Sequence, residues 1–187
     1  MHILTDMVKP EGKSTRHELQ YYDGNQRVVY TVDEPLVTGD GVILISRTDA
    51  AGIITHANRG FIEVSGYRSD ELIGAPHYII RHPDMPKGAF QDLWKTIQQG
   101  LEWHGYVKNL RKDGRYYWVY ATVAPVTSHG MLVGSTSVRR KVDEKTIAKY
   151  EMLYREMRSQ ERQESLRNVQ NEPQNEGVLG KLFGRKK

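Results

Sequence analysis

The segment IIRHPDMP, residues 79–86, contains side chains suited to holding a polar ligand. Arg81 has a planar guanidinium that matches a phosphate, His82 can donate or accept a hydrogen bond, and Asp84 can orient either one. Two prolines restrict the backbone of the same segment. We expect a rigid, ligand-binding corner. The alternative is a structural corner in which Asp84 caps the next helix and pairs with Arg81.

An aromatic and an amide side chain extend this candidate site. Trp94 lies in an amphipathic helical pattern, where an indole can stack on a ligand ring or simply fill the core. Asn109 ends a predicted strand, and its amide can both donate and accept a hydrogen bond. The alternative for Asn109 is a turn residue before the KDG sequence. Trp103 and Trp118 fall in predicted strands and are weaker candidates.

A five-stranded antiparallel sheet with helices on one face is the scaffold that must position these residues. Runs of β-forming residues alternate with turn sequences, and consecutive hairpins favour antiparallel pairing. Short helical pieces and one longer amphipathic helix, from Pro86 to Gly100, follow the first hairpin. The fold class is therefore α+β, with room for a small ligand between sheet and helices. The predicted strands are residues 41–49, 53–58, 103–110, 116–126 and 132–138.

The segments around this central domain, residues 39–141, have different characters. Residues 1–38 predict an N-terminal cap or arm with a short strand at 27–32. Residues 142–169 predict a helix whose apolar seam stops after about one and a half heptads, too short for an autonomous coiled coil. Residues 170–187 predict a flexible linker and a basic amphipathic tail. The seam consists of Ile147, Tyr150, Tyr154 and Met157.

Composition excludes several classes of function. The chain has 187 residues and no cysteine, which excludes disulfides, thiolate nucleophiles and cysteine-ligated metals. Basic and acidic residues interleave over 143–167, as on a solvated helix, so we expect no nucleic-acid binding. No HExxH, GxSxG, GxGxxG or Walker A motif occurs, and we expect no metal site and no catalytic residues. Without an apolar membrane span or signal peptide, a cytoplasmic protein is expected.

Three strings of the sequence resemble one known family in order and spacing. THANRGFIEVSGY, ELIGAPHYIIRHPDMPKGAFQDLW and GYVKNLRKDGRYYWVYATVAPV are similar to the PAS domain of bacterial aerotaxis receptors, a flavin-binding redox sensor. The resemblance covers about residues 40–160. It implies a PAS fold, noncovalently bound FAD, no enzymatic turnover, and signalling through a downstream element. The missing cysteine excludes photochemistry that depends on a flavin–cysteine adduct.

The resemblance also implies a set of FAD-binding residues. Asn58 belongs to the HAN string, although it is equally explained as a helix N-cap. Asn109 is the candidate switch, because flavin reduction adds a proton at N5 and an amide can answer by rotating. The complete predicted set of cofactor-binding residues is Asn58, His77, Arg81, His82, Asp84, Trp94, Asn109 and Trp118.

Three other functions remain open from the sequence: a flavoenzyme, an adaptor PAS domain without flavin, and a haem-binding sensor. The chain ends at Lys187, so we expect output through its C-terminal helix, its tail or a signalling partner protein. A homodimer is expected through residues 1–38 and the apolar seam. Residues 178–187, with Leu182 and Phe183 as anchors, are expected to dock on an acidic protein face or to make peripheral contact with an anionic membrane.

Overall fold

A computed structural model describes residues 4–171 and shows an α+β fold around one central sheet. A two-stranded N-terminal hairpin precedes the sheet, and a single-turn 3-10 helix, His77–Ile80, lies between the second and third α-helices. In chain order the other elements are β1 (Thr15–Gln20), β2 (Gln26–Thr31), β3 (Leu44–Asp49), β4 (Ile54–Ala57), α1 (Arg59–Ser65), α2 (Ser69–Leu72), α3 (Lys87–Gln98), β5 (Trp103–Leu110), β6 (Tyr116–Ser128), β7 (Met131–Lys141) and α4 (Glu144–Asn171).

The central sheet has five strands in the order β4-β3-β7-β6-β5, and every pair is antiparallel. Hairpins join β3 to β4, β5 to β6 and β6 to β7, while the helical segment connects the two edge strands β4 and β5. Gly52 lies in the turn of the β3–β4 hairpin. Its φ of +80° is a conformation that glycine adopts easily and residues with a side chain rarely adopt. The predicted five-stranded antiparallel sheet is confirmed.

Helices α1, α2 and α3 cover one face of the sheet, here called the inner face. Phe61, Leu72 and Ile97 from these helices are almost completely buried. They belong to one apolar cluster with Tyr117 and Val119 of β6. Because successive residues of a strand point to opposite sides, odd-numbered residues of β5 and β6 face these helices and even-numbered residues face away.

Helix α4 packs on the other side of the sheet, here called the outer face. The ring centroids of Tyr106 and Tyr150 are 4.1 Å apart, and those of Trp118 and Tyr154 are 6.0 Å apart. The Tyr154 hydroxyl donates a hydrogen bond of 2.6 Å to the Tyr106 carbonyl oxygen. The predicted seam therefore packs against the sheet of its own chain, because that sheet offers an apolar aromatic surface.

The N-terminal arm folds back onto the domain. Strand β2 pairs with β1, which the sequence did not predict. Arg27 is buried and donates to the carbonyl oxygens of Thr5 and Ile79, and Tyr21 stacks on Tyr78 with ring centroids 3.9 Å apart. The N-terminal arm therefore packs against the 3-10 helix and supports it.

Two sequence predictions lie wholly or mainly outside the described residues: the linker and tail at 170–187 and the docking anchors within 178–187. The division of the chain into four segments stays a prediction. Of the helices within residues 4–171, none is both long and apolar enough to cross a membrane.

Candidate functional site

A cavity of about 120 Å³ lies between the inner face and helix α3. One water molecule needs about 10–15 Å³ of such space, so the cavity has room for a much larger ligand. Its walls are mostly apolar, with polar groups at a few points. The residues that line the cavity include Tyr22, Ser46, Gly52, His77, Arg81, Leu93, Trp94, Trp103, Val107, Asn109, Ala121, Val123, Ser137 and Arg139.

The apolar walls form two opposed surfaces. Leu93 and Trp94 of α3 line one side, and Val107 and Val123 of the sheet line the other. The Trp94 ring meets Tyr22 of the N-terminal arm edge to face at 6.3 Å. This arrangement suits a flat aromatic ligand, which gains from apolar burial and from stacking.

Two glycines shape the cavity by leaving space for tryptophans. A Cβ at Gly105 would lie 2.3 Å from the Trp103 ring. The indole can therefore lie over position 105 of β5 only because that residue has no side chain. Trp103 is held there by a hydrogen bond of 2.8 Å from its Nε1 to Asp92. A Cβ at Gly52 would come within 3.2 Å of Trp94. The weak sequence candidate Trp103 therefore lines the cavity.

Asn109 brings an unsatisfied amide to the cavity. Its side chain is 3% exposed, and Nδ2 has no hydrogen-bond partner among residues 4–171. The Ser137 hydroxyl, also buried at the cavity wall, lacks a partner in the same part of the chain. Buried polar groups are almost always hydrogen-bonded, and leaving one unmade costs about 1–3 kcal/mol. Both groups are therefore placed to bind a polar ligand.

Arg139 is a cavity residue that sequence reasoning missed. It lies on β7, is 4% exposed, and donates to Ser46 Oγ at 3.1 Å and to His77 Nε2 at 2.7 Å. Its guanidinium lies 5.1 Å from the Phe61 ring centroid. A signal existed in the sequence: residues 137 and 139 share one face of a strand by their spacing of two.

His77 is fully enclosed beside Arg139. Burial, and secondarily the positive charge of Arg139, lower the pKa of His77 to about 3. The imidazole is therefore neutral at physiological pH and accepts the hydrogen bond from Arg139. The structure brings His77 to the cavity, as the sequence predicts.

The RHPD segment is divided between the two faces of the sheet. Arg81 lines the cavity, and its guanidinium lies 4.6 Å from the Phe90 ring centroid. His82 is buried against Tyr116, with Nδ1 accepting a hydrogen bond of 3.0 Å from the Asp84 backbone N–H. Neither His82 nor Asp84 lines the cavity. Of the three polar side chains expected at this corner, only Arg81 lines the cavity, because the chain turns away after it.

Asp84 instead contacts the outer-face helix. Its carboxylate accepts a hydrogen bond of 2.8 Å from Lys108 Nζ and pairs with Arg158 of α4. The pKa of Asp84 falls to about 2 because the hydrogen bond from Lys108 and the surrounding positive charges outweigh its burial. Beyond it, Glu161 of α4 accepts hydrogen bonds from the first backbone N–H groups of α3, at Lys87 and Gly88. Asp84 thus connects the turn to α4.

Two other predicted cofactor-binding residues lie away from the cavity. Asn58 Oδ1 accepts hydrogen bonds from the N–H groups of Ile45 and Phe61, so Asn58 is the N-cap of α1. Trp118 lies on the outer face against Tyr154. Its even position on β6 turns it from the inner face, which its neighbours Tyr117 and Val119 occupy.

A larger groove, of about 700 Å³, continues from the cavity mouth. It shares Tyr22, Arg81, Phe90 and Trp94 with the cavity and adds two cations, Lys87 and Lys95. Aromatic rings and cations together suit a nucleotide with its phosphates. In contrast, no cluster of three or more metal-binding side chains occurs within residues 4–171.

This geometry agrees with comparisons against known proteins. A sequence profile of the family described as "PAS fold" matches residues 54–139. The chain contains a PAS domain. The match begins at β4 and ends at Arg139, so it includes most of the cavity wall.

Relatives of this PAS domain occur in bacterial regulatory proteins. The aerotaxis receptor of Escherichia coli (strain K12) is 44% identical over 126 residues, which cover 67% of this chain and 25% of the receptor. The nitrogen fixation regulatory protein of Klebsiella pneumoniae is 32% identical over 84 residues, covering 45% of this chain and 17% of that protein. The predicted resemblance to the aerotaxis receptor is confirmed. The chain spans about a quarter of the receptor's length.

The PAS fold is also evident in solved structures. The light-state structure of the blue-light photoreceptor Aureochrome1 LOV has a TM-score of 0.52 and 25% sequence identity. The match covers 62% of this chain and 91% of that one. The dark structure of the same photoreceptor has a TM-score of 0.52 and 26% identity, covering 63% and 86% of the two chains.

Proposed function

We propose that this PAS domain binds FAD noncovalently and reports its redox state through α4 to a signalling partner protein, without enzymatic turnover. The observation that carries the proposal is the pair of buried, unsatisfied polar groups, Asn109 Nδ2 and Ser137 Oγ, in a cavity with mostly apolar walls. Relatedness to the aerotaxis receptor supports a sensory role. Bound FAD would supply a ring that accepts and releases electrons.

The types of side chain that line the cavity suit a flavin ring. Trp94 and Leu93 would cover one side of the ring, and Val107 and Val123 the other. A flat, largely apolar ring gains from burial between such walls, while its polar edge needs hydrogen-bonding groups. Asn109 and Ser137 provide those groups.

The adjoining groove favours FAD over a flavin without the adenine nucleotide. Arg81, Lys87 and Lys95 supply three positive charges there, which suit the diphosphate. Tyr22 and Phe90 supply aromatic surface for the adenine. Arg81 lines both the cavity and the groove, so it marks the position where the ring half would meet the phosphates.

We propose that the side chain of Asn109 responds to reduction of the flavin ring. An amide has both a donor and an acceptor. By rotating, the side chain of Asn109 can therefore keep a hydrogen bond to a ring nitrogen that changes from acceptor to donor. Its neighbour Lys108 points to the outer face and holds Asp84, which in turn pairs with Arg158 of α4. A shift of β5 at Asn109 therefore reaches α4 through directly contacting groups.

We also propose how the chain associates with a second copy of itself and with its signalling partner. The apolar seam faces this chain's own sheet, so the N-terminal arm is the surface that we propose for a homodimer. Helix α4 has exposed apolar side chains at Met152, Leu153 and Leu166, which we propose as contacts for the signalling partner.

Absorption spectroscopy of protein purified without added ligand tests the proposed cofactor. We expect flavin absorption bands and release of FAD, identified by chromatography, when the protein is denatured. A colourless protein that takes up no added FAD at micromolar concentration would support the adaptor function instead. A Soret band would indicate a haem sensor, and steady oxidation of a reduced pyridine nucleotide would indicate a flavoenzyme.

A further inference from the structure

The cavity contains a buried positive charge that no carboxylate among residues 4–171 neutralises. Arg139 is 4% exposed, and no carboxylate lies within 4 Å of its guanidinium in the part of the chain that the structure describes. Its polar partners are the Ser46 hydroxyl and the His77 ring. A buried charge is costly unless it is paired, so an anionic partner is expected in the cavity.

The neighbours of Arg139 leave it charged and uncompensated. Burial lowers the pKa of Arg139 to about 10, which still leaves the guanidinium protonated at neutral pH. His77, with a pKa of about 3, is neutral and contributes no charge. No acidic residue lines the cavity among residues 4–171. A ligand is thus the remaining source of negative charge.

We propose that Arg139 is the counter-charge for the reduced flavin ring and keeps that ring anionic. This inference rests on the proposed binding of FAD. A soluble electron donor would supply two electrons, and one proton would add at N5. N1 would then stay deprotonated, and the resulting negative charge on the N1–C2=O edge would be stabilised by Arg139.

The proposal makes Arg139 a residue that sets redox potential, distinct from those that only hold the ring. A cation in the cavity stabilises the reduced, negatively charged ring more than the oxidised, neutral one. It therefore raises the reduction potential and lowers the pKa of N1 in the reduced ring.

The other ionisable groups facing the cavity permit a clear test. His77 stays neutral, and burial raises the pKa of Tyr22 and Tyr78 above the usual tyrosine range. Tyr117 lies near Arg139 from β6, and burial raises its pKa too. Burial lowers the pKa of Arg81 at the cavity mouth, but a guanidinium keeps its charge near neutral pH. None of these groups changes charge between about pH 5.5 and 8.5.

The experiment measures midpoint potential against pH for the flavin-loaded wild-type chain and for free FAD in the same buffers. A two-electron couple falls by about 59 mV per pH unit when two protons are taken up, and by about 30 mV when one is taken up. The pH at which the slope changes is the pKa of N1 in the reduced ring. We expect this change at least one pH unit lower in the protein than in free FAD.

Substitutions of Arg139 assign the effect to this side chain. R139Q should lower the midpoint potential by about 30 mV, which corresponds to a tenfold loss of preference for the reduced ring. It should also return the slope change to the pH seen in free FAD. R139K should retain most of the wild-type behaviour. R140Q is the matched control, because Arg140 is the next residue, is exposed and lies on the outer face.

The outcomes separate this inference from the proposed function. Failure of the wild-type chain to bind flavin would overturn both. Flavin binding with a slope change at or above the pH seen in free FAD would overturn only the role of Arg139. That wild-type measurement decides the inference even if R139Q does not fold. Equal potentials in R139Q and R140Q would also overturn it.

Discussion

Polar side chains on the two faces of the central sheet differ in the hydrogen-bond and ion-pair partners available to them. On the inner face Asn109 and Ser137 are buried without a hydrogen-bond partner among the described residues, and Arg139 lacks a carboxylate. On the outer face Lys108 pairs with Asp84, and the hydroxyl of Tyr154 is bonded to the backbone. On the inner face these groups line a cavity with room for a ligand, whereas the outer face is covered by α4. One buried group of the outer face, Trp118 Nε1, also has no hydrogen-bond partner among the described residues.

Adjacent residues of β5 connect these two environments. Asn109 faces the cavity and Lys108 faces α4, because side chains alternate along a strand. A displacement of this strand by a ligand therefore changes contacts on both sides at once. From this difference we propose that the inner face binds the ligand and the outer face carries the signal output.

The largest expected effect distinguishes the tryptophans on the two faces. Trp94→Ala removes the stacking surface of the cavity and should weaken FAD binding about hundredfold, from lost stacking and lost apolar burial. Flavin fluorescence titration gives the affinity. Trp118→Phe, on the outer face, is the matched control and should leave the affinity within about twofold of wild type. Equal losses in both variants would contradict the assignment of faces.

A second effect comes from the buried, neutral histidine of the inner face. The unfolded chain protonates His77 below its ordinary pKa of about 6.5, but the folded chain does so only near a pKa of about 3. The free energy of unfolding should therefore decrease by about 1.4 kcal/mol per pH unit as pH falls through this interval, and recover above it.

Chemical denaturation at several pH values measures this slope. His77→Gln should remove its own share of the slope, whatever its effect on absolute stability. His104→Gln is the control, because His104 is about half exposed on the outer face. If His77→Gln has the wild-type slope, His77 is not the buried neutral group described here.

A smaller effect is expected at the α4 contact. Tyr154→Phe removes the hydrogen bond to Tyr106 and should weaken packing of α4 by about 1 kcal/mol. Hydrogen exchange of residues 144–161 should become faster, while FAD affinity stays unchanged. Tyr150→Phe keeps the ring contact with Tyr106 and should leave exchange near wild type. Loss of FAD in Tyr154→Phe would show that the faces are not separable.

The sheet could be predicted from the sequence because turn residues separate its strands, and each turn joins neighbouring strands. Which face each side chain occupies was harder to predict. In β6 both faces are apolar, since α4 covers the outer one, so Trp118 gave no sign that it faces outward. A strand exposed on one side would have shown the alternation.

The candidate site was predicted in part for similar physical reasons. His77, Arg81, Trp94 and Asn109 reach the cavity, whereas His82 and Asp84 follow a turn whose direction local sequence does not encode. Arg139 was missed because an arginine in a strand usually faces water. Its burial depends on contacts with Ser46 and His77, which are distant in sequence.

Hydrogen exchange of the flavin-loaded protein, compared between its oxidised and reduced states, tests the central claim most directly. The account predicts changed exchange in residues 104–122, which include Asn109 and its strand neighbours, and in residues 144–161 of α4. It predicts no change in α2, none of whose residues lines the cavity. Identical exchange of both segments in the two redox states would contradict the claim that the inner face signals through β5 to the outer face.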